Sequence, residues 1–389
     1  MVLLAASAAA AAADSVDKSG IPGSDFLRVL KPYLIAGYSH DSNFFKLSEE
    51  ISPPDGRADQ YSTVGAGFDS EFGRSRQKFK IAGNVYQNSY QTYDENDFTG
   101  GRADAVWNWT GGKTLTGNLG YAYDRRLRSF ANQLVPRRDL RTENKIFADA
   151  DLLFARNWVL GLTGKYSVID FSATEALNLD RATGGVSIDY RTRSNNSIGL
   201  AGEYINGDYG NSPIRDFNEF FLGPKLEWNF TGKSKLRAKA GYSKRENDDP
   251  SRMDYDDFTG RITWVLKGAP GNRFTAEIWR ELSNLSDEIA NFALVQGASV
   301  EPRWRITSKL DLRFRLLYED RDFQGEMGDN PAGLSSRTDK IYSGGIWADW
   351  RFVRYLGLSL GFTADSRSSN REFQDYDDRI VQLLLKAGF

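Results

Sequence analysis

Eight short, turn-rich segments recur along this chain at intervals of about 37 to 46 residues. They are Gly73-Arg74-Ser75, Trp109-Thr110-Gly111-Gly112-Lys113, Ala155-Arg156-Asn157, Thr192-Arg193-Ser194-Asn195, Phe230-Thr231-Gly232-Lys233-Ser234, Lys267-Gly268-Ala269-Pro270-Gly271, Thr307-Ser308-Lys309 and Phe352-Val353-Arg354. Most carry the Gly, Ser, Thr or Asn that tight hairpin connections require. Between them run longer segments, such as 42–58, 129–140, 210–217, 246–257 and 324–338, which are acidic or contain proline. Tight turns alternating with long loops are the pattern of a bacterial outer-membrane barrel, with periplasmic turns on one rim and extracellular loops on the other. With both termini on the same side, eight turns predict eighteen strands. Their expected bounds are 30–39, 60–70, 77–90, 98–109, 115–126, 141–154, 158–170, 179–191, 196–208, 218–229, 235–245, 258–266, 273–282, 292–306, 310–321, 339–351, 356–368 and 376–389.

Alternation within these segments supports strands over helices. Phe220, Leu222, Leu226, Trp228 and Phe230 share one face, while Gly223, Lys225, Glu227 and Asn229 share the other. Leu310, Leu312, Phe314, Leu316 and Tyr318 likewise oppose Asp311, Arg313, Arg315, Glu319 and Arg321. The last segment alternates too, with Val381, Leu383, Leu385, Ala387 and the terminal Phe389 on one face. Such a period of two excludes an amphipathic helix. A propeller with blades near forty residues would need four short strands per repeat, whereas each repeat here has room for two long ones. The fold class is therefore all-β, a transmembrane antiparallel up-and-down barrel. Trp107, Trp109, Trp158, Trp228, Trp264, Trp304 and Trp350 fall near the tight turns. Tyr38, Phe68, Tyr90, Tyr121, Tyr123, Tyr204, Tyr242 and Tyr318 are expected toward the loops. Two such levels describe the aromatic girdles at the two faces of a bilayer. Phe389 would close the barrel, and general resemblance to outer-membrane barrels implies that it is also the handle for the insertion machinery.

Composition narrows the chemistry. The 389 residues contain no cysteine and one histidine, His40, placed in the first extracellular loop. Cysteine catalysis, a Cys-based zinc site and any site needing two histidines are excluded. A Ser-His hydrolase is disfavoured, and no catalytic residue, metal site or cofactor is expected. A net charge of −2 gives no global field for nucleic acid. Residues 2–13 form a small-residue apolar run of the length of a signal-peptide core, without a basic leader. The expected organisation is thus a signal remnant at 1–13, a short periplasmic segment at 14–29 and a barrel over 30–389.

Eighteen strands enclose a lumen wide enough for water. The face turned inward is charged, with Lys80, Arg102, Arg126, Lys165, Arg191, Lys225, Arg237, Lys239, Arg261, Arg303, Arg305, Arg313, Arg315 and Arg351 as basic candidates. Asp69, Asp104, Asp124, Asp149, Asp151, Asp189, Glu203, Glu227, Glu277, Glu301, Asp311, Glu319 and Asp349 are the acidic ones. Cross-strand pairing accounts for any one of them singly. The basic excess from Lys225 to Arg315 is the candidate path for an anionic substrate, with Trp279 and Trp347 as inward aromatics on which a sugar could stack. A bulge that turns either Trp to lipid is the competing explanation. The pairs Asp256-Asp257 and Asp377-Asp378 fall at loop ends, where solvated or cation-bridging roles are expected.

Several short motifs resemble a known group. They are Asp41-Ser42-Asn43-Phe44-Phe45-Lys46-Leu47, Ser75-Arg76-Gln77, Trp228-Asn229-Phe230-Thr231-Gly232-Lys233-Ser234, Asp257-Phe258-Thr259-Gly260-Arg261, Tyr318-Glu319-Asp320-Arg321-Asp322-Phe323 and Ser366-Arg367-Ser368-Ser369-Asn370. In order and spacing they resemble the outer-membrane barrels of exopolysaccharide biosynthesis loci, the EpsL-type or putative β-barrel porin family. The resemblance covers roughly 25–389 and supplies no catalytic residues. It implies passage of a secreted exopolysaccharide through the outer membrane, and the expected protein is a monomeric export channel. The implied partners are outer-membrane lipid and lipopolysaccharide, the barrel-insertion machinery, and periplasmic and inner-membrane polysaccharide synthesis proteins. Uptake of oligosaccharides or anions is the alternative, and an integral barrel enzyme is a third reading.

Overall fold

A computed structural model of the protein describes residues 29–284, 287–324 and 336–388. The expected signal segment, nearly all of the expected periplasmic segment, and Phe389 lie outside the described residues. The chain forms β1 (Pro32–Asp41), β2 (Asp59–Arg74), β3 (Gln77–Tyr90), β4 (Phe98–Gly111), β5 (Leu115–Leu127) and β6 (Leu140–Ala155). It continues through β7 (Trp158–Phe171), β8 (Leu179–Arg191), β9 (Ser197–Asp208), β10 (Phe217–Asn229), β11 (Ser234–Asn247) and β12 (Tyr255–Lys267). The last six are β13 (Arg273–Ser283), β14 (Phe292–Arg305), β15 (Leu310–Gln324), β16 (Thr338–Val353), β17 (Leu356–Ser369) and β18 (Tyr376–Gly388). Each strand pairs antiparallel with the next, and β1 pairs with β18 from Tyr33 opposite Gly388 to Asp41 opposite Ile380. The sheet is a closed ring of eighteen strands. Closure satisfies every ladder internally, which hydrocarbon requires of any spanning sheet.

The outward face is apolar. Leu34, Val64, Val85, Leu119, Ile146, Leu162, Val186, Leu200, Leu222, Ile278, Leu316, Leu360 and Leu383 all project from the barrel and remain exposed. Near the tight turns a lower girdle is built from contacting rings. Phe72 stacks on Phe79 (5.4 Å between centroids), Phe79 on Trp107 (5.8 Å), and Trp304 meets Phe314 edge-on (5.2 Å). The upper level includes Tyr204 against Phe220 (4.8 Å) and Tyr318 against Tyr342 (5.1 Å). Three placements differ from the sequence-based expectation. Phe68 lies opposite Gly83 in the tight-turn half of β2. Tyr90 faces the lumen, 4.7 Å from Phe44, because its register partner is the inward Tyr61. His40 belongs to β1, where it pairs with Val381 on the lipid-facing register.

Apolar clusters sit inside the extracellular end of the barrel, under the loops. Phe44, Tyr93 and Phe130 pack together there, as do Leu179, Ile205, Tyr209 and Phe217, and Ala290, Ala293, Val295 and Phe323. The seam between β1 and β18 is fastened at both ends. Lys46, in the first long loop, bonds Asp378 and lies 3.3 Å from Asp41. Burial alone would lower the Lys46 pKa, but the two carboxylates outweigh it and hold the ammonium above its ordinary value. Asn43 donates to the carbonyls of Leu47 (2.8 Å) and Asp377 (3.0 Å). Asp378 is therefore a buried anchor and not a solvated loop-end carboxylate. At the other end Lys386 reaches Asp69 (3.4 Å) and lies 3.5 Å from the Tyr33 ring centre.

Candidate functional site

Alternation along the strands points Lys225, Arg237, Lys239, Arg261, Arg303, Arg305, Arg313 and Arg315 into the lumen. Most meet an acid on the adjacent strand or on the one beyond it. Lys225 bonds Asp189 (2.7 Å), Lys239 bonds Glu203 (2.6 Å), and Arg261 bonds Glu277 (3.1 Å) and Glu281 (2.7 Å). Arg315 faces Glu301 (3.2 Å), Arg313 faces Asp349 (2.8 Å), and Asp311 takes both Arg303 (3.4 Å) and Arg305 (3.2 Å). Arg237 is exposed and stands opposite Glu227, whose carboxylate is held by Lys235 (2.6 Å). The cross-strand pairing expected of single residues thus describes much of this wall, leaving a water-facing surface of fixed dipoles and paired charges.

Trp279 and Trp347 are on the lumen side, and no bulge turns them outward. Each lies opposite a glycine, Gly297 and Gly361, on the following strand. A Cβ at Gly297 would fall 2.5 Å from the Trp279 ring, and one at Gly361 would fall 2.6 Å from Trp347. Only glycine leaves room for an indole laid flat along the sheet. On the preceding strand each indole has a guanidinium in register: Arg261 is 5.1 Å from the Trp279 centroid and Arg313 is 5.5 Å from Trp347. The Arg–Trp–Gly arrangement thus recurs at both rings, each indole lying between a guanidinium and a glycine on the adjacent strands.

The loops define the mouth. The 128–139 loop after β5 and residues 287–291 before β14 belong to walls nearly half a ring apart, with eight strands between them. They meet. Arg128 Nη1 donates to Glu288 Oε1 (3.1 Å), to Asp139 Oδ2 (3.2 Å) and to the Thr174 hydroxyl (3.2 Å). Arg137 adds a contact to Glu288 (3.3 Å). From the 209–216 loop, Arg215 donates to the carbonyls of Asp287 (3.0 Å), Glu288 (2.6 Å) and Ala290 (3.1 Å). Burial holds the Arg215 guanidinium below its ordinary pKa. Arg337 clamps Asp287 (2.9 Å) and Asp339, and Arg367 on β17 donates to the carbonyl of Ala131. Asp287 Oδ1 in turn accepts from the amides of Ile289 and Ala290, both at 2.9 Å. Arg128, Arg215, Arg337 and Arg367 are all buried. Together these bonds make an arch from one wall of the barrel to the other, crossing the lumen at its outer end. Sequence reasoning gave none of these residues a role at the mouth; it marked only the long segments 129–140, 210–217 and 324–338, and Arg367 entered it as part of a family motif.

A closed ring of eighteen strands, an apolar outer belt, two aromatic levels and loops folded inward decide the architecture. It is a closed antiparallel barrel with the fold of outer-membrane porins. Residues 223–389 match the family described as "Putative beta-barrel porin 2". The chain is similar in fold to OccK2 (OpdF) of Pseudomonas aeruginosa, at 10% identity and a TM-score of 0.51, covering 93% of this chain and 99% of that one. It is equally similar to a BenF-like porin from Pseudomonas fluorescens Pf-5, at 11% identity and a TM-score of 0.51, covering 94% and 100%. The OccK2 structure solved in complex with glucuronate gives 10% identity and a TM-score of 0.50 over 93% and 99%. No curated protein matches the sequence. This porin-like barrel is seated in the bacterial outer membrane, with its apolar belt in lipid.

Proposed function

We propose that this porin-like channel admits small hydrophilic solutes, anionic solutes and short saccharides among them, by passive diffusion. The observation that carries this reading is the arch. A pore that lets small solutes through benefits from a narrow mouth with fixed polar groups, whereas a polymer leaving the cell needs an uninterrupted bore. Arg128, Arg215 and Arg337 are buried against the carboxylates and carbonyls of the arch and hold that mouth narrow, while Arg137 is its exposed guanidinium. The glucuronate held by one protein of the same fold is a sugar acid, the class of solute that a guanidinium-lined, partly aromatic lumen suits.

Export of a secreted polysaccharide, implied by the sequence motifs, is the rival reading, and it requires the arch to swing aside. Liposome swelling separates the two. Vesicles containing the purified barrel should swell in isotonic glucuronate and in a disaccharide. They should exclude a dextran chain longer than a few sugars. Rapid entry of long dextran, with no discrimination by size, would overturn the proposal in favour of export.

A further inference from the structure

Two rows of cations run in register around the lumen, and the loop-free end of the wall treats them differently. In the first, Lys225, Lys239 and Arg261 stand opposite one another on β10, β11 and β12. Four carboxylates, Asp189, Glu203, Glu277 and Glu281, are bonded to these three cations. In the second, Arg273, Arg303 and Arg313 stand opposite one another on β13, β14 and β15. Like charges in direct cross-strand apposition are destabilising, and here three more guanidiniums crowd in. Arg305 and Arg351 share Asp311 with Arg303, at 3.2, 3.6 and 3.4 Å. Arg315 meets Glu301 at 3.2 Å, and Arg313 meets Asp349 at 2.8 Å. Arg273 Nε donates to the Thr275 hydroxyl (3.2 Å). Five of these guanidiniums converge on Asp311, Glu301 and Asp349, and Arg273 stands beside them on the Thr275 hydroxyl. The patch lies near the tight turns, at the inner end of the pore, and Trp347 flanks it in register with Arg313.

We infer that this patch is a binding site for a small oxyanion carrying two or more negative charges, a phosphorylated or polycarboxylated solute, at the periplasmic exit. The inference rests on the pore reading and adds to it a discrete site. Planar guanidinium forks hold carboxylate and phosphate oxygens in bidentate fashion. A ligand of several charges relieves the repulsion along the Arg273–Arg303–Arg313 row, which one bound chloride would leave largely in place. The site also gives an incoming anion a favourable last step, opposite the arch where it enters.

The test is block of ionic current through the whole purified protein in planar bilayers, with inorganic pyrophosphate and citrate as probes. Pyrophosphate should block. Arg303→Gln and Arg313→Gln should each weaken the block about tenfold, the equivalent of about 1.4 kcal/mol. Asp311→Asn should strengthen it by a similar factor, which guards against variants that fail to fold. Lys145→Gln on the opposite wall removes the same total charge and should change the block less than about twofold. Equal block by citrate assigns recognition to charge count, and block by pyrophosphate alone assigns it to phosphate. Block insensitive to all three patch variants, or weakened as much by Lys145→Gln, overturns the site. A barrel that conducts no ions overturns the pore reading and this site with it.

Discussion

Removing Glu288 should release the arch. Its carboxylate receives Arg128 at 3.1 Å and Arg137 at 3.3 Å, and its side chain is only 12% exposed. Arg137 is 43% exposed, so its pair contributes well under about 1 kcal/mol. The buried contact with Arg128 is charge-assisted, and such bonds contribute roughly 1.5–3 kcal/mol. Arg128 retains Asp139 and Thr174 in the Glu288→Ala protein and is not stranded without a counter-ion. A loss of about 2–3 kcal/mol moves the balance between docked and undocked arch by roughly 30- to 150-fold. The strands are untouched, so the barrel should remain folded. Single-channel recording should then show larger and noisier conductance, and the size cut-off in liposome swelling should rise. Glu288→Gln keeps a hydrogen-bond acceptor without the charge and should fall between. Unchanged conductance and cut-off in Glu288→Ala would refute the arch as the element that narrows the pore.

Other outcomes follow from the same contacts. Lys46→Ala leaves the buried Asp378 beside Asp41 without its cation, so the β1–β18 seam should weaken by about 3–5 kcal/mol. The loss reads out as a lower unfolding temperature in gel-shift assays of heated protein. Leu222→Arg places a cation on the lipid face near the middle of β10, at a cost of roughly 2–4 kcal/mol. Urea titration of folding into vesicles measures it, and a neutral result would mean that this face does not meet lipid. Gly361→Val fills the niche beneath Trp347 and should cost about 1–3 kcal/mol in the same titration, with the indole displaced into the lumen.

Much of the barrel was legible because a strand in a membrane wall must alternate. That constraint phases every residue between two turns, so β3 and β8 begin and end where the sequence places them, at 77–90 and 179–191. Strand ends were less legible where the ladder outlasts the bilayer. β2 continues past residue 70 to Arg74, carried on by Phe72 stacking on Phe79. The inward face was legible for the same reason as the strands, which is why Lys225 through Arg315, Trp279 and Trp347 are found in the lumen. The arch was not legible. Arg128 and Glu288 are 160 positions apart, both lie in loops, and no local pattern links them. The anchoring role of Asp378 was hidden likewise, since a loop carboxylate looks solvated until Lys46 is folded over it.

The account turns on an open, anion-favouring path through a barrel crossed by loops. Reversal potential tests it most directly, with the purified protein in a planar bilayer under a tenfold gradient of potassium chloride. The account predicts stepwise conductance and a reversal potential on the chloride side of zero, reduced by Arg303→Gln. A potential on the potassium side, or no conductance from folded barrels, would contradict it.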